Sequence, residues 1–390
     1  PAVVTGGNWP VMADIWEHTR TCEPWVLNNE LVPYMALHYS EDTLHWYANA
    51  KGEDVYTAYL KNLFGVFRAA LELHLPVEII TDDDLADPEF LKRYRTVLLP
   101  NSACLSDEQA VSVRRFVEGG GGLVASYETG RYDENGTVRE APALAGLFGV
   151  TQHDPVLRSS WSMPLADRNH PVVQHPQIDR AGAWRQGHSR PADRTDLLRA
   201  GRFRSVGAAP VSPLDPDAFA HPLAEGRPAP IRGTPESALF RTVTARSDGA
   251  GRVVFFPLDI GHAYFVFNHP VNRQLIGRSL LWTAADAPPV RTDALMKVQV
   301  VPYRKDDTAV VHLSNDISSF GRAAAPNPEA FTAFRSEVAP VYDIDLGVEG
   351  RYTQARLLPA GTSLPVEERE GYSYVTVPRL DLHGVVVFQP

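Results

Sequence analysis

Cysteine is nearly absent from this chain. Cys22 and Cys104 are the only two among 390 residues. That is too few for a disulfide framework or a cysteine-rich zinc site, which suits a reducing compartment and predicts a cytoplasmic protein. No run of eighteen apolar residues occurs, so neither a membrane-spanning helix nor a membrane partner is expected. Blocks of Lys or Arg are missing as well. The 37 basic and 47 acidic residues leave a net charge of −10, and nucleic acid, which requires a basic face, is not an expected partner. The 13 His residues are scattered, without H-E-x-x-H or C-x-x-C spacing, so neither a metal nor a cofactor is expected. The opening Pro1-Ala2-Val3-Val4 lacks both an initiator Met and the charged-then-apolar layout of a signal peptide, and predicts a piece of a longer polypeptide.

What is present is the composition of a folded chain, 44 % hydrophobic and 22 % charged, long enough for two or three domains. Val3-Val4-Thr5 runs into Gly6-Gly7-Asn8-Trp9-Pro10, and the stretch Met12 to Leu27 follows. This reads as one strand and one helix with no sheet of their own. From Val32 the pattern becomes regular: an apolar run to Tyr39, an amphipathic helix within Val55 to Leu75, and strands at Val77 to Thr81 and Thr96 to Leu99. Ser106-Asp107-Glu108-Gln109 has the form of a capping box opening a helix to Glu118. Gly119 to Gly122 stops that helix, and Leu123-Val124-Ala125-Ser126 is the next buried strand. Strands alternating with helices predict a parallel sheet. Val156 to about Ala250 has few periodic runs and reads as long loops and short strands; a strand at Arg252 to Pro257 and a helix from about Val271 to Ala284 follow. Beyond the linker Ala287-Pro288-Pro289-Val290 the period drops to two in five runs between Lys297 and Phe388, which predicts a small β-sandwich.

Four stretches, in this order, resemble one family: Val97 to Gln109, Phe116 to Thr129, Leu144 to Val150 and Gly251 to Asp259. They look like the β-galactosidase trimerisation domain. This class I glutamine amidotransferase-like module, with a flavodoxin-like α/β sheet, follows the (β/α)8 barrel of family 42 and related glycoside hydrolases. Val310 to Asn315 and Val375 to His383 are similar to the β-domain that ends those enzymes. The resemblance implies that residues 1–31 are the end of the barrel or a linker, that 32–286 are the trimerisation domain, and that 290–390 are the terminal sandwich. It further implies a non-catalytic region that assembles subunits, a homotrimer favoured over a dimer, and walls the active site of the barrel. The barrel of the same polypeptide and the carbohydrate substrate of the parent enzyme are then its partners, and no catalytic residue is assigned here. The alternative is a free-standing amidotransferase-like hydrolase using Glu128, Asp259 or His262.

In true amidotransferases a Cys nucleophile occupies the turn after the strand that follows the Gly-rich helix end. By the resemblance Tyr127 stands nearest that place, so the thiolate is lost. Cys104, among Leu98, Leu99, Ala103 and Leu105, reads as a small buried apolar residue. Glu128 ends a parallel strand, where ligands of open sheets bind; it either lines a substrate or accepts hydrogen bonds from loop N–H groups. Asp259 and His262 end the Phe255-Phe256-Pro257 strand at the same edge, and either do acid-base work or cap a helix or bridge subunits. Trp9, at the end of the presumed barrel strand, is a candidate for stacking on a sugar, whereas Glu17 and His18 read as surface or packing residues. The run Tyr264-Phe265-Val266-Phe267 follows a strand end where a monomer exposes it, which makes Phe265 and Phe267 candidate interface residues.

Overall fold

The computed structural model describes residues 9–52, 54–152, 157–158, 161–163, 170–181, 184–186, 199–200, 203–205, 210–213, 241–256, 258–316 and 338–390. The strand expected at Val3-Val4-Thr5, and most of the stretch from Val156 to Ala250, lie outside the described residues. The first helix, α1 (Trp9–Cys22), begins before Met12 and stops short of Leu27. Pro10 accounts for the start, since its fixed φ suits a first helical turn. Pro24 accounts for the stop: it cannot supply an α-helical N–H donor, and the chain tightens into the 3₁₀ turn Glu23–Trp25.

Residues Pro33–Ala70 and Val77–Ala287 make up one of two compact units. The strands of its seven-stranded sheet are β1 (Met35–His38), β2 (Val77–Ile80), β3 (Thr96–Pro100), β4 (Gly122–Ser126), β5 (Pro210–Pro213), β6 (Arg241–Asp248) and β7 (Gly251–Phe256), in the spatial order β5-β6-β7-β4-β3-β1-β2. From β7 to β2 every neighbour is parallel, while β6 and β5 extend the β7 edge antiparallel. The residues of β1, β3 and β4 are all buried, as strands covered on both faces must be. Chain order reverses once among the parallel strands, between β1 and β3. The register sets His38 beside Ile80, Pro100 beside Ser126, and Ser126 beside Phe256, so the carboxyl ends finish nearly flush.

The longer helices that begin in this unit are α2 (Lys61–Glu72), α3 (Asp107–Glu118), α4 (Ile260–Phe267) and α5 (Pro270–Ala284). The expected capping box opens α3: Gln109 N–H donates to Ser106 Oγ (3.1 Å) and Ser106 N–H to Gln109 Oε1 (2.8 Å). Val113, Phe116 and Val117 of α3 share one apolar cluster with Leu123 and Ala125 of β4 and Val253 and Phe255 of β7. Phe148 stacks on Phe255 at a centroid distance of 4.2 Å. By strand alternation the intervening Val124 and Val254 face the opposite layer.

The second unit gathers residues up to Val32, Leu71–Pro76 and Pro288–Pro390. One antiparallel sheet holds β8 (Val290–Thr292), β11 (Val341–Glu349), β14 (Glu367–Arg369) and β15 (Tyr372–Leu380), in the order β8-β11-β15-β14. The other holds β9 (Val298–Lys305), β10 (Thr308–Asn315), β12 (Gln354–Leu358), β13 (Thr362–Leu364) and β16 (His383–Gln389), in the order β9-β10-β16-β12-β13, with Glu30–Leu31 paired to the free edge of β9. Val300, Val311, Val386 and Phe388 on one side and Ile344, Leu346, Val375 and Val377 on the other fill a shared core, as two packed sheets require. The opposite face of the second sheet carries Val310, Val385 and Val387, covered by Cys22 and Trp25. No described helix is long and apolar enough to cross a membrane.

Candidate functional site

The residue after β4, Tyr127, has φ +57°, a left-handed conformation that costs a bulky residue about 1–3 kcal/mol. Its surroundings hold it there. Tyr127 N–H donates to the Phe256 carbonyl (2.7 Å), prolonging the parallel ladder by one bond, and the Thr129 hydroxyl donates to the Ser126 carbonyl (2.7 Å). The turn thus presents Glu128 with its backbone N–H donating to Asn101 Oδ1 (3.2 Å), while the Tyr47 hydroxyl donates to Glu128 Oε2. Asn101, at φ +55°, is anchored in turn by its N–H on Ser126 Oγ (3.1 Å) and its Nδ2 on the Ala58 carbonyl (3.2 Å). Glu128 is 3 % exposed and lies just past the strand it was expected to end.

Asp259 and His262 leave the same edge from the neighbouring strand. His262 Nδ1–H donates to Asp259 Oδ2 at 3.3 Å, and the two residues are 3 % and 1 % exposed. Asp259 stands at the start of α4 but its side chain does not cap it. Asp259 Oδ1, His262 Nε2 and the Oδ1 of Asn62 on α2 are buried without a hydrogen-bond partner among the described residues. With Nδ1 as the donor, all three are acceptors that meet no donor among the described residues, a costly arrangement that a water or a ligand N–H or O–H would relieve.

A third group at this edge escaped the sequence reading. His38 closes β1, Asp82 follows β2 and Ser102 follows β3. His38 Nε2–H donates to Asp82 Oδ1 (3.0 Å), which leaves Nδ1 to accept the Ser102 hydroxyl (2.9 Å). Asp82 also receives the N–H of Glu41 (2.7 Å) and Gln109 Nε2 (2.9 Å). Burial would raise its carboxyl, but the hydrogen bond from His38 and those from the N–H groups of Asp42 and Glu41 outweigh burial and hold it below the ordinary value. Hydroxyl, imidazole and carboxylate stand in the order used by nucleophilic triads, at the crevice where chain order reverses. Ser102 and His38 are nonetheless fully buried, so the string ties three strand ends together. The available signal was a polar residue at or just beyond the carboxyl end of three strands otherwise read as apolar runs.

Two expectations need correction or restriction, and a third, the burial of Cys104, is met. Trp9 is the first residue of α1, not a strand end, and is 63 % exposed. Tyr264 is fully buried and Phe265 and Val266 half-buried, because the run folds as the helix α4, which turns only part of itself outward. Phe265 meets Tyr56 (6.0 Å between centroids) and Phe64 (6.4 Å), whereas the side chain of Phe267 lies outside the described residues. Cys104 is fully buried; burial, and after it the charge of Asp42, pushes its thiol up to about 12.

Residues 23–160 match the family model described as β-galactosidase trimerisation domain. No curated protein matches the sequence. Among solved structures, α-L-fucosidase isoenzyme 2 from Paenibacillus thiaminolyticus is 15 % identical, with a TM-score of 0.71 over 99 % of this chain and 53 % of that one. A β-galactosidase from Bacillus circulans sp. alkalophilus is 12 % identical, with a TM-score of 0.61 over 96 % of this chain and 44 % of that one. Gan42B, a GH42 β-galactosidase from G. stearothermophilus, is 15 % identical, with a TM-score of 0.61 over 100 % of this chain and 46 % of that one. The chain therefore spans about half the length of these proteins. In sequence over residues 23–160, and in fold over nearly its whole length, this chain resembles the β-galactosidase trimerisation domain and the family 42 and related glycoside hydrolases that share its architecture.

Proposed function

We propose that this chain is the non-catalytic assembly region of a β-galactosidase-like glycoside hydrolase, joining subunits and walling the active site of a barrel in the same polypeptide. Residues 1–31 are the end of that barrel or a linker, 32–286 a flavodoxin-like oligomerisation domain, and 290–390 a terminal β-sandwich. The strand order β2-β1-β3-β4-β7 supports the flavodoxin-like reading. The observation that carries the assembly role is an aromatic patch: Tyr56 and Phe64 are each more than a third exposed and converge with Phe265. Clustered aromatics open to solvent mark an interaction surface, and a second copy of the chain is its occupant, in a cyclic trimer that repeats one heterologous contact three times. Phe267 belongs to the same interface.

In this reading Trp9 reaches the sugar pocket of the parent enzyme, while Glu128, Asp259 and His262 frame the substrate side of the wall. The two buried, unbridged thiols suit a cytoplasmic protein. Light scattering at micromolar concentration tests the assembly: three chain masses for the unaltered protein, and one for Phe64→Asp or Phe265→Asp. A monomeric unaltered chain overturns the assembly, and an oligomer indifferent to both changes overturns the placing of this patch at its interface.

One observation favours a second reading, an amidotransferase-like hydrolase: Asp259 Oδ1 and His262 Nε2 have no hydrogen-bond partner among the described residues. Glutaminase or ester turnover abolished by His262→Gln would promote it.

A further inference from the structure

We infer that His18, Cys22 and His383 form a binding site for a divalent cation of the zinc class. On α1, His18 and Cys22 are four residues apart and so share one helix face. That face lies against β16, whose first residue is His383. His18 Nε2 stands 2.8 Å from His383 Nδ1 and 3.9 Å from Cys22 Sγ, and the three ligand atoms all lie within 4.8 Å of one another. A tetrahedral site with Zn–N of about 2.0 Å and Zn–S of about 2.3 Å wants N···N near 3.3 Å and N···S near 3.5 Å. Both separations are thus met by shifts of roughly half an ångström.

The tautomers point the same way. His312, on the neighbouring β10, donates Nε2–H to the Trp25 carbonyl (3.3 Å). Its Nδ1 must then be an acceptor, and it takes Nε2–H of His383 (3.2 Å). His383 is left with its Nδ1 lone pair directed at His18 and Cys22. An outer partner that receives the second ring N–H, and so fixes the coordinating nitrogen, is what metal-bound imidazoles use. Two imidazoles and a thiolate select borderline-soft ions over calcium or magnesium.

Three protein ligands leave a fourth position. His18, Cys22 and His383 border a cleft of about 710 Å³ that also reaches Asp14, one turn before His18 on α1. A water from this cleft completes the tetrahedron. The ion would bind α1 to the outer face of the sandwich, where Cys22 already covers Val310 and Val385.

Cobalt is the probe, used on the tag-free chain freed of metal by a chelator. One equivalent of Co²⁺ is expected to give a thiolate-to-cobalt charge-transfer band and the intense visible bands of tetrahedral coordination, both displaced by one equivalent of Zn²⁺. Cys22→Ser should abolish the charge-transfer band, Cys104→Ser should leave it unchanged, and His312→Ala should weaken binding about 10- to 100-fold through the lost outer bond. Circular dichroism separates loss of the site from loss of the fold. If Cys22→Ser does not fold, His18→Ala, altering a half-buried ligand, must weaken cobalt binding at least tenfold. No charge-transfer band at stoichiometric cobalt, one that survives Cys22→Ser, or an affinity for cobalt that His18→Ala leaves unchanged, overturns the site.

Discussion

Gly65 of α2 and Gly261 of α4 meet backbone to backbone: a Cβ on Gly65 would lie 1.8 Å from the Gly261 carbonyl oxygen. A Cβ on Gly261 would lie 2.1 Å from Asn62 Oδ1 and 2.2 Å from its carbonyl oxygen. These contacts hold the helix after β7 against the helix after β1, and with it Asp259 and His262 beside Asn62. Because the opposing atoms are largely backbone, neither helix can yield by turning a side chain.

The expected consequence is that Gly65→Ala and Gly261→Ala each lower stability by about 1–3 kcal/mol or more through overpacking. Gly146→Ala, where nothing lies within 4 Å of the added carbon, should be close to neutral. Urea midpoints of the three variants check this, and equal midpoints would refute the close crossing.

Asp82 gives the fold an acid limit. Since its carboxyl is held below the usual 3.8, it stabilises the folded state while ionised. That contribution is complete above the ordinary carboxylate value and is lost as pH falls through the lower folded value. Asp82→Asn should cost about 1–3 kcal/mol at neutral pH. Its stability should also fall less steeply than that of the unaltered chain below pH 4, as read from urea melts across the acid range.

Cys104 gives an alkaline counterpart. With its thiol pushed from 9.0 up to about 12, the folded protein keeps a proton that the unfolded chain releases. The stabilisation is complete below the unfolded value and drains away as pH rises towards about 12. At pH 8 iodoacetamide should leave Cys104 unmodified in the native chain and alkylate it in urea, since a buried thiol offers no thiolate. Mass spectrometry of the digested chain distinguishes the two states.

The fold was legible wherever one local rule sufficed. Ser106 and Gln109 announce a helix start that the structure reproduces bond for bond, and the apolar runs at Val97 to Leu99 and Leu123 to Ser126 are buried parallel neighbours. The alternating runs after Val290 form two sheets about one core. The edge chemistry was legible only in part. Glu128, Asp259 and His262 could be placed by strand ends, but their burial depends on Tyr47, Asn62 and Asn101, which come from distant parts of the chain. His38, Asp82 and Ser102 were invisible for the same reason, since each alone is an unremarkable polar residue. His18 with Cys22 carried a helical spacing, but their partner His383 lies some 365 positions away.

The bond between Tyr47 and Glu128 should itself contribute to stability. Tyr47 is fully buried, set edge-on to Tyr132 at 5.5 Å, and its hydroxyl donates to Glu128 Oε2. Tyr47→Phe removes the donor while keeping the ring, so the packing against Tyr132 stays and a buried carboxylate oxygen loses a bond. The expected loss is about 1–3 kcal/mol. Glu128→Gln should cost less, because the amide oxygen still accepts the Tyr47 hydroxyl. A double-mutant cycle of Tyr47→Phe with Glu128→Ala, read by urea denaturation, should show a coupling of about 0.5–3 kcal/mol. Additive losses would mean that the hydroxyl does not hold the carboxylate, and that the left-handed turn at Tyr127 stands without this support.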